Sequence, residues 1–417
     1  MSARLLIGDV RDRLAEIPDG SVDLIVTSPP FLALRSYLPG DHEHKHREIG
    51  SEATPAAFLD TLLKLSAEWR RVLAPHGSMC VELGDTYSGS GGSGGDYNDG
   101  GLREGQAKFS GSWSRNGKGL AHATKDRYAS SDKRPGWPLA KSLCGIPTLY
   151  PWSLAYGRNL LTGAESPAGR WRIRNVIVWA RPNPPPGALA DKFRPATSYI
   201  TVACTGAKRW FDLDAVRTEH TVSPETMSGN GYTKGNPAGN GRTTAMPGNP
   251  AGAPPLDWCQ DMPDEDGDWL WRLATQPYPG SHYATYPERL PKRLIEAMCP
   301  RRVCTVCGKP SERVVERERI TDGNYNRPHA KARSETNGAT FASNGATYRT
   351  TLGWTDCGCS ADGTHWRPGV VLDAFAGSGT TLAIASGLGR DAIGIDLDER
   401  NEHLVRERCG MFLEVGR

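Results

Sequence analysis

Long hydrophobic runs are missing from this 417-residue chain: nothing in it reaches the roughly 20 apolar residues that a membrane-spanning helix needs. The opening segment, Met1–Leu14, spreads charge through its apolar positions, unlike the unbroken core of a secretory leader. A cytoplasmic protein with no membrane partner is expected. An excess of one charge sign is missing too, since 50 Lys and Arg face 47 Asp and Glu and leave a net +3. That excludes a global positive field, so any nucleic-acid contact has to come from local basic patches. No internal repeat is present, which excludes a solenoid. Cysteine is too thin for a disulfide framework: the 10 residues, several in close pairs, fit a reducing compartment with a metal site.

What is abundant is glycine and proline, 48 and 31 residues, in clusters that read as loops. Between the clusters the chain reads as compact α/β. A strand at Leu5-Leu6-Ile7 precedes a helix through Arg11–Ile17 and a buried strand at Asp23–Val26. The spacing of Phe58, Leu62, Leu65, Trp69, Val72 and Leu73 predicts a helix that stops at Pro75-His76-Gly77, before a strand over Ser78–Leu83. A helix is expected around Pro151–Leu161, with strands at Val176–Trp179 and Ser198–Cys204. The last segment alternates again: strand Val370–Leu372, helix Thr380–Gly387, strand Ala392–Ile395 and a helix from Arg400 to Met411. Stretches at 88–138, 221–268 and 317–350 read as insertions.

The C-terminal strand delivers Asp373-Ala374-Phe375-Ala376-Gly377-Ser378-Gly379-Thr380-Thr381 into a helix, and the next strand ends at Asp396. In a doubly wound sheet, ligands sit outside the carboxyl ends of such strands. Alone, a Gly-containing turn of this kind also fits a site with no ligand. Charge narrows the choice. A dinucleotide would set its pyrophosphate on the helix start, where Asp373 repels it, and its fingerprint wants a third glycine where this chain has Leu382. S-adenosylmethionine carries a sulfonium cation and no phosphate, so an acidic strand end favours it. Asp396 is placed to accept hydrogen bonds from ribose hydroxyls.

Strand Asp23–Val26 runs into Thr27-Ser28-Pro29-Pro30-Phe31, a stiff loop with free carbonyls because proline cannot donate to the sheet. An exocyclic base amine is a weak nucleophile, its lone pair being delocalised into the ring. Acceptors for its hydrogens, here Ser28 Oγ and the Pro29 carbonyl, draw it towards tetrahedral geometry. Phe31 offers a face on which a base turned out of the helix can stack. By itself the loop also fits a plain strand-ending turn.

Together, Asp23–Phe31 and Val371–Thr381 resemble the catalytic and cofactor motifs of the permuted, beta-type DNA amino-methyltransferases, in the order that family uses. Leu83–Tyr87, Gly145–Pro147, Val178–Pro184 and Gln276–Pro287 are similar to stretches of bacterial and phage members. The resemblance implies a Rossmann-like α/β fold, an S-adenosylmethionine-dependent methyltransferase sheet with inserted recognition loops and a small Cys-rich module. It implies that Ser28, Pro29, Pro30 and Phe31 form the target-base pocket. Asp373, Phe375, Ala376, Gly377, Gly379, Thr380 and Asp396 would hold the cofactor, with Asp9 approaching its adenine ring and Tyr286 closing its methionine end. Ser at the first position of the catalytic tetrapeptide accompanies cytosine N4 methylation in that family, while Asp or Asn accompanies adenine N6. The implied activity is therefore site-specific methylation of the N4 amine of cytosine in duplex DNA by base flipping. Adenine N6 is the alternative, with RNA or protein glutamine more remote. Pro195–Ser198 departs from the polar pair that members often show after the Lys/Arg-Pro-Asn stretch. The resemblance also allows a homodimer and a cognate restriction endonuclease as partners.

Cys304-x-x-Cys307 and Cys357-x-Cys359 supply four thiols in two close pairs, which predicts one structural zinc, with Cys299 and His365 as reserve ligands, the alternative being reduced surface cysteines that bind nothing. A module fixed in this way beside the cofactor loop would support target recognition. Basic and aromatic residues interleave at 103–134 and across Arg313–Arg349, as phosphate contacts with some base stacking require. The expected division is a catalytic half from 1–87 and 139–204, a flexible insertion at 88–138, and a target-recognition insertion at 205–270. A cofactor-side helix segment at 271–298, the Cys-rich module at 299–365 and a cofactor-binding half at 366–417 complete it.

Overall fold

Alternation of side chains gives β1 (Ala3–Ile7) two buried faces, with Ala3 and Leu5 packed on one side of a sheet and Leu6 on the other. All six residues of β2 (Val22–Thr27) are buried, as a central parallel strand requires. The computed structural model describes residues 2–34, 38, 41–88, 135–180, 193, 195–217, 257–260, 271–272, 286–319, 347–360, 363–410 and 413–416. Most of the insertions expected at 88–138 and 205–270, and the motif stretches Arg181–Pro184 and Gln276–Thr285, lie outside the described residues.

The sheet continues with β3 (Leu73–Leu83), β4 (Arg172–Ala180), β5 (Thr197–Cys204), β6 (Trp258–Gln260) and β7 (Trp271–Arg272). From the C-terminal part come β12 (Val370–Asp373), β13 (Asp391–Asp396) and β14 (Leu413–Gly416). The order is β14-β1-β13-β12-β2-β3-β5-β4-β6-β7, and only β5 among these described strands runs against the rest. Strands from the two ends of the sequence thus pair in the middle of the sheet.

Helices α1 (Val10–Leu14), α2 (Pro55–Val72) and α3 (Ile146–Tyr156) cover one face, and α4 (Arg289–Met298), α5 (Thr380–Gly387) and α6 (Glu402–Cys409) cover the other. Helix α2 starts where Thr54 Oγ1 accepts from Ala57 N at 3.1 Å and Pro55 opens the first turn. It buries Phe58, Leu59 and Leu62, at roughly 1.5–3 kcal/mol each. Helix α3 begins at Ile146 and not at the expected Pro151, because Asp85 accepts from Gly145 N at 2.9 Å and so caps the turn that contains Pro147. Gly157, in the left-handed region at φ 70°, ends it. No described helix is long and apolar enough to cross a membrane.

The Cys-rich segment adds two small antiparallel pairs. One joins β8 (Arg302–Cys304) to β11 (Trp366–Pro368), and the other is β9 (Arg313–Arg319) with β10 (Thr347–Trp354). Its position corrects an expectation. Strand β11 feeds through Gly369 into the first residue of β12, so the module sits at the amino end of that strand, opposite the cofactor loop and not beside it. Asp23 lies at this edge. It is fully buried and receives Arg367 at 2.6 and 3.2 Å, Val370 N at 2.7 Å and the His76 ring at 2.9 Å. Burial works against its charge, yet His76 and Arg367 together hold its carboxyl below the ordinary value.

Candidate active site

Strand β12 leads through α5 to β13 on one side, and β2 leads through α2 to β3 on the other. The strand order therefore reverses between β12 and β2, which opens a crevice outside their carboxyl ends. Asp373 fills the base of it. Only 2% exposed, its carboxylate accepts from Thr27 Oγ1 at 2.8 Å, Thr381 Oγ1 at 2.7 Å, Tyr286 Oη at 3.1 Å and Phe375 N at 3.1 Å. Burial pushes its pKa up, and these donors oppose the rise. Thr27 and Asp373 are 346 positions apart, so this contact fastens the two expected halves to each other.

The loop after Asp373 turns on two glycines in the left-handed region, Gly377 at φ 53° and Gly379 at φ 78°. A Cβ at Gly379 would also lie 2.9 Å from Val405 Cγ1. Gly377 N donates to Asp396 Oδ2 at 2.6 Å, while Asp398 N and Asn401 Nδ2 reach Asp396 Oδ1 at 2.8 and 3.1 Å. Burial, helped by the nearby Asp398 charge, pushes the Asp396 carboxyl up to about 7 against these donors. Leu382, where a dinucleotide fingerprint has its third glycine, is accommodated by Gly394 opposite. A Cβ at Gly394 would stand 2.8 Å from Leu382 Cδ2 and 2.9 Å from Ala376 Cβ.

Asp9 lies one strand further along, where Gly8 N donates to the Asp396 carbonyl at 2.8 Å. Its carboxylate caps α1 through Arg11 N at 2.8 Å and pairs with the Arg11 and Arg47 guanidiniums, each at 2.9 Å. Asp9 is thus drawn to the expected edge but is engaged by two cations. Phe375, Ala376 and Thr380 stand on the same loop, and Tyr286 joins them through Asp373.

Ser28, Pro29, Pro30 and Phe31 follow β2 directly, next to this loop. Ser28 Oγ donates to Glu82 Oε2 at 2.6 Å. Glu82 is 5% exposed on β3 and was not singled out from the sequence, although a lone carboxylate inside the apolar run Ser78–Leu83 is a usable signal. The ring of Phe31 lies against the backbone of Gly84, where a Cβ would approach Phe31 Cε2 to 2.6 Å. Thr86 Oγ1 donates to the Leu32 carbonyl at 2.7 Å and steadies the far side of the loop.

Away from the crevice, one ligand atom from each of Cys304, Cys307, Cys357 and Cys359 falls within 4.8 Å of the others. Cys304 Sγ accepts from Val306 N at 3.3 Å and Cys307 N at 3.4 Å. Burial raises its pKa, but these N–H groups together with the neighbouring Cys357 and Cys307 thiols bring it down to about 6. Cys299 stands outside this cluster, buried, with its thiol pushed up by desolvation. His365 Nε2 lies 3.3 Å from Cys357 Sγ, and its buried Nδ1 has no hydrogen-bond partner among the described residues.

Fold and crevice together define a Rossmann-like site at the junction of the two ends of the chain. The sequence profile of the DNA methylase family, the N4- and N6-methyltransferases, matches residues 22–303 and 366–407, and the chain belongs to that family. The match breaks over the Cys-rich segment. Among relatives, the type II methyltransferase M.SmaI of Serratia marcescens is 22% identical over 410 residues, 98% of this chain and 90% of that one. The type II methyltransferase M.Cfr9I of Citrobacter freundii is 28% identical over 298 residues, 71% and 72% of the two chains. Of solved structures, the cytosine-N4-specific PvuII DNA methyltransferase aligns over 98% of this chain and 86% of its own, at 12% identity and a TM-score of 0.45. A putative DNA modification methylase from Thermus thermophilus, complexed with S-adenosyl-L-methionine, aligns at 18% identity over the whole of both chains with a TM-score of 0.38.

Thr27→Val removes one donor from a buried carboxylate while keeping the side-chain shape. It is expected to cost about 1–3 kcal/mol, read as a lowered urea midpoint with unchanged slope.

Proposed function

We propose that the protein is a site-specific DNA methyltransferase that moves a methyl group from S-adenosylmethionine to the N4 amine of a cytosine flipped out of duplex DNA. The observation that carries this is the contact of the two loops: Ser28 follows Thr27, and Thr27 is bonded to Asp373 at the head of the glycine loop.

The crevice suits the cofactor chemically. Asp396 ends β13 with a carboxylate for ribose hydroxyls, and the left-handed glycines let backbone approach the ligand. Phe375, Ala376, Gly377, Gly379 and Thr380 would line it, with Asp9 towards the adenine and Tyr286 towards the methionine end. S-adenosylmethionine, when bound, supplies an electrophilic methyl group. The chain's own residues handle the amine. Because the Ser28 hydroxyl hydrogen is committed to Glu82, the Oγ lone pairs are left to accept an amine hydrogen, and the Pro29 carbonyl accepts the other. Phe31 stacks on the base. After transfer the surplus amine proton passes to Ser28 Oγ as Ser28 hands its own to Glu82. A serine acceptor held in this way, with no carboxylate at position 28, is what favours cytosine over adenine.

We further read Cys304, Cys307, Cys357 and Cys359 as holding one structural zinc. Tetrahedral Zn–S bonds of about 2.3 Å separate the sulfurs by about 3.8 Å, which the 4.8 Å spread accommodates. Elements from 1–87, 139–204 and 366–417 share one sheet, with β1 between β13 and β14, and β6 and β7 from 205–270 and 271–298 extend it at one edge. The relatives' type II naming supports a cognate restriction endonuclease as the counterpart in the cell.

Purified protein, labelled S-adenosylmethionine and unmethylated duplex DNA, followed by nucleoside digestion and mass spectrometry, identify the product. Label is expected in N4-methylcytosine, with Ser28→Ala slowed about a hundred- to a thousandfold and Glu82→Gln slowed without loss of S-adenosylhomocysteine affinity. Label in N6-methyladenine would refute the assignment of the base.

Cofactor affinity is also expected to depend on pH. Below about 7 the Asp396 carboxyl holds a proton, and above it the carboxylate is the better acceptor for ribose hydroxyls. Affinity measured by calorimetry should therefore rise as pH increases through about 7 and then level off, with proton release on binding. A flat profile would show that Asp396 is already ionised or does not touch the ribose.

A further inference from the structure

We propose that the Cys304, Cys307, Cys357 and Cys359 metal site controls the cofactor loop from the opposite edge of the sheet, by holding Arg367 on Asp23 and so fixing β12 against β2. The proposal rests on the zinc and S-adenosylmethionine readings above.

The pairing of β12 with β2 is short, with only Val371 opposite Leu24 and Leu372 opposite Ile25. Beyond those two pairs, contacts from side chains join the strands at either end. At the carboxyl end the Thr27 to Asp373 bond holds the pairing. At the amino end the task falls to Asp23, which takes Val370 N at 2.7 Å and the Arg367 guanidinium at 2.6 Å. A fully buried carboxylate needs its cation, and Arg367 belongs to β11.

Strand β11 is not part of the large sheet. Among the described residues it pairs with β8 alone, in the register Trp366 to Cys304, Arg367 to Val303 and Pro368 to Arg302. Cys304 ends β8, and His365, the residue before β11, touches Cys357 Sγ at 3.3 Å while its carbonyl accepts from Thr305 N at 2.8 Å. The thiol cluster therefore closes the pair that carries Arg367. From Val370 to Asp373, β12 is four residues, about 10 Å long, so a shift at one end is delivered to the other. Metal and cofactor are coupled sites, and the coupling runs both ways.

The test uses the full-length protein, with zinc measured by mass spectrometry, folding by circular dichroism, loop exposure by hydrogen–deuterium exchange over residues 373–381, and affinity with S-adenosylhomocysteine. Chelation is expected to speed exchange in that loop and weaken affinity by roughly 5–150-fold, with both restored by added zinc. Arg367→Gln, with its zinc intact, should reproduce the effect, Arg367→Lys should recover most of it, and chelating Arg367→Gln should add little. If chelation unfolds the protein, Arg367→Gln decides alone. Unchanged loop exchange in folded, chelated protein and in Arg367→Gln would overturn the proposal, as would multiplicative effects of the two. Protein that neither carries nor takes up zinc would overturn it together with the metal reading. Zinc-dependent loop exchange without any S-adenosylhomocysteine binding would uphold the coupling and remove the cofactor reading.

Discussion

A buried carboxylate cannot stay in a protein without donors, and Asp373 draws its donors from everywhere that matters. Thr27 comes from the N-terminal strand, Thr381 from the helix that closes the glycine loop, Tyr286 from the segment before α4, and Phe375 from the loop itself. Each is short-range, yet the set spans nearly the whole sequence. The proposed target-base pocket and the proposed cofactor loop are neighbours because this one group demands it. The sheet order, with β12 between β13 and β2, brings the partners within reach.

The far edge of the same strands shows the same principle with opposite purpose. Asp23 is equally buried, but its side-chain partners are Arg367 and His76. One carboxylate closes a strand end on hydroxyls and amides and leaves room for chemistry. The other closes its end on a guanidinium, a histidine ring and a backbone amide, and carries structure.

Much of the central sheet was legible in the sequence. Buried parallel strands such as Asp23–Val26 and Val370–Leu372 are apolar on both faces, and the Gly377 and Gly379 turn carries its own signature. What escaped was whatever depends on contact between distant segments. The start of α3 is set by Asp85, some sixty positions upstream, and no local signal outweighs Pro151. Glu82 acquires meaning only when β3 brings it to Ser28. Leu382 looked like a departure from a nucleotide fingerprint, and the glycine that admits it, Gly394, lies in the next strand. The four-cysteine cluster could be proposed from spacing, but the edge of the sheet it occupies follows from topology alone.

The central claim is that Asp373 organises the proposed cofactor loop by acting as an acceptor on both oxygens. Asn in its place keeps the size but turns an NH2 group towards two of its four donors. The direct measurement is calorimetric titration of S-adenosylhomocysteine into wild type and Asp373→Asn, both shown to be folded by circular dichroism. One site on the wild type, with affinity lowered at least about tenfold in the variant, is the predicted result. Equal binding by a folded Asp373→Asn would contradict the account.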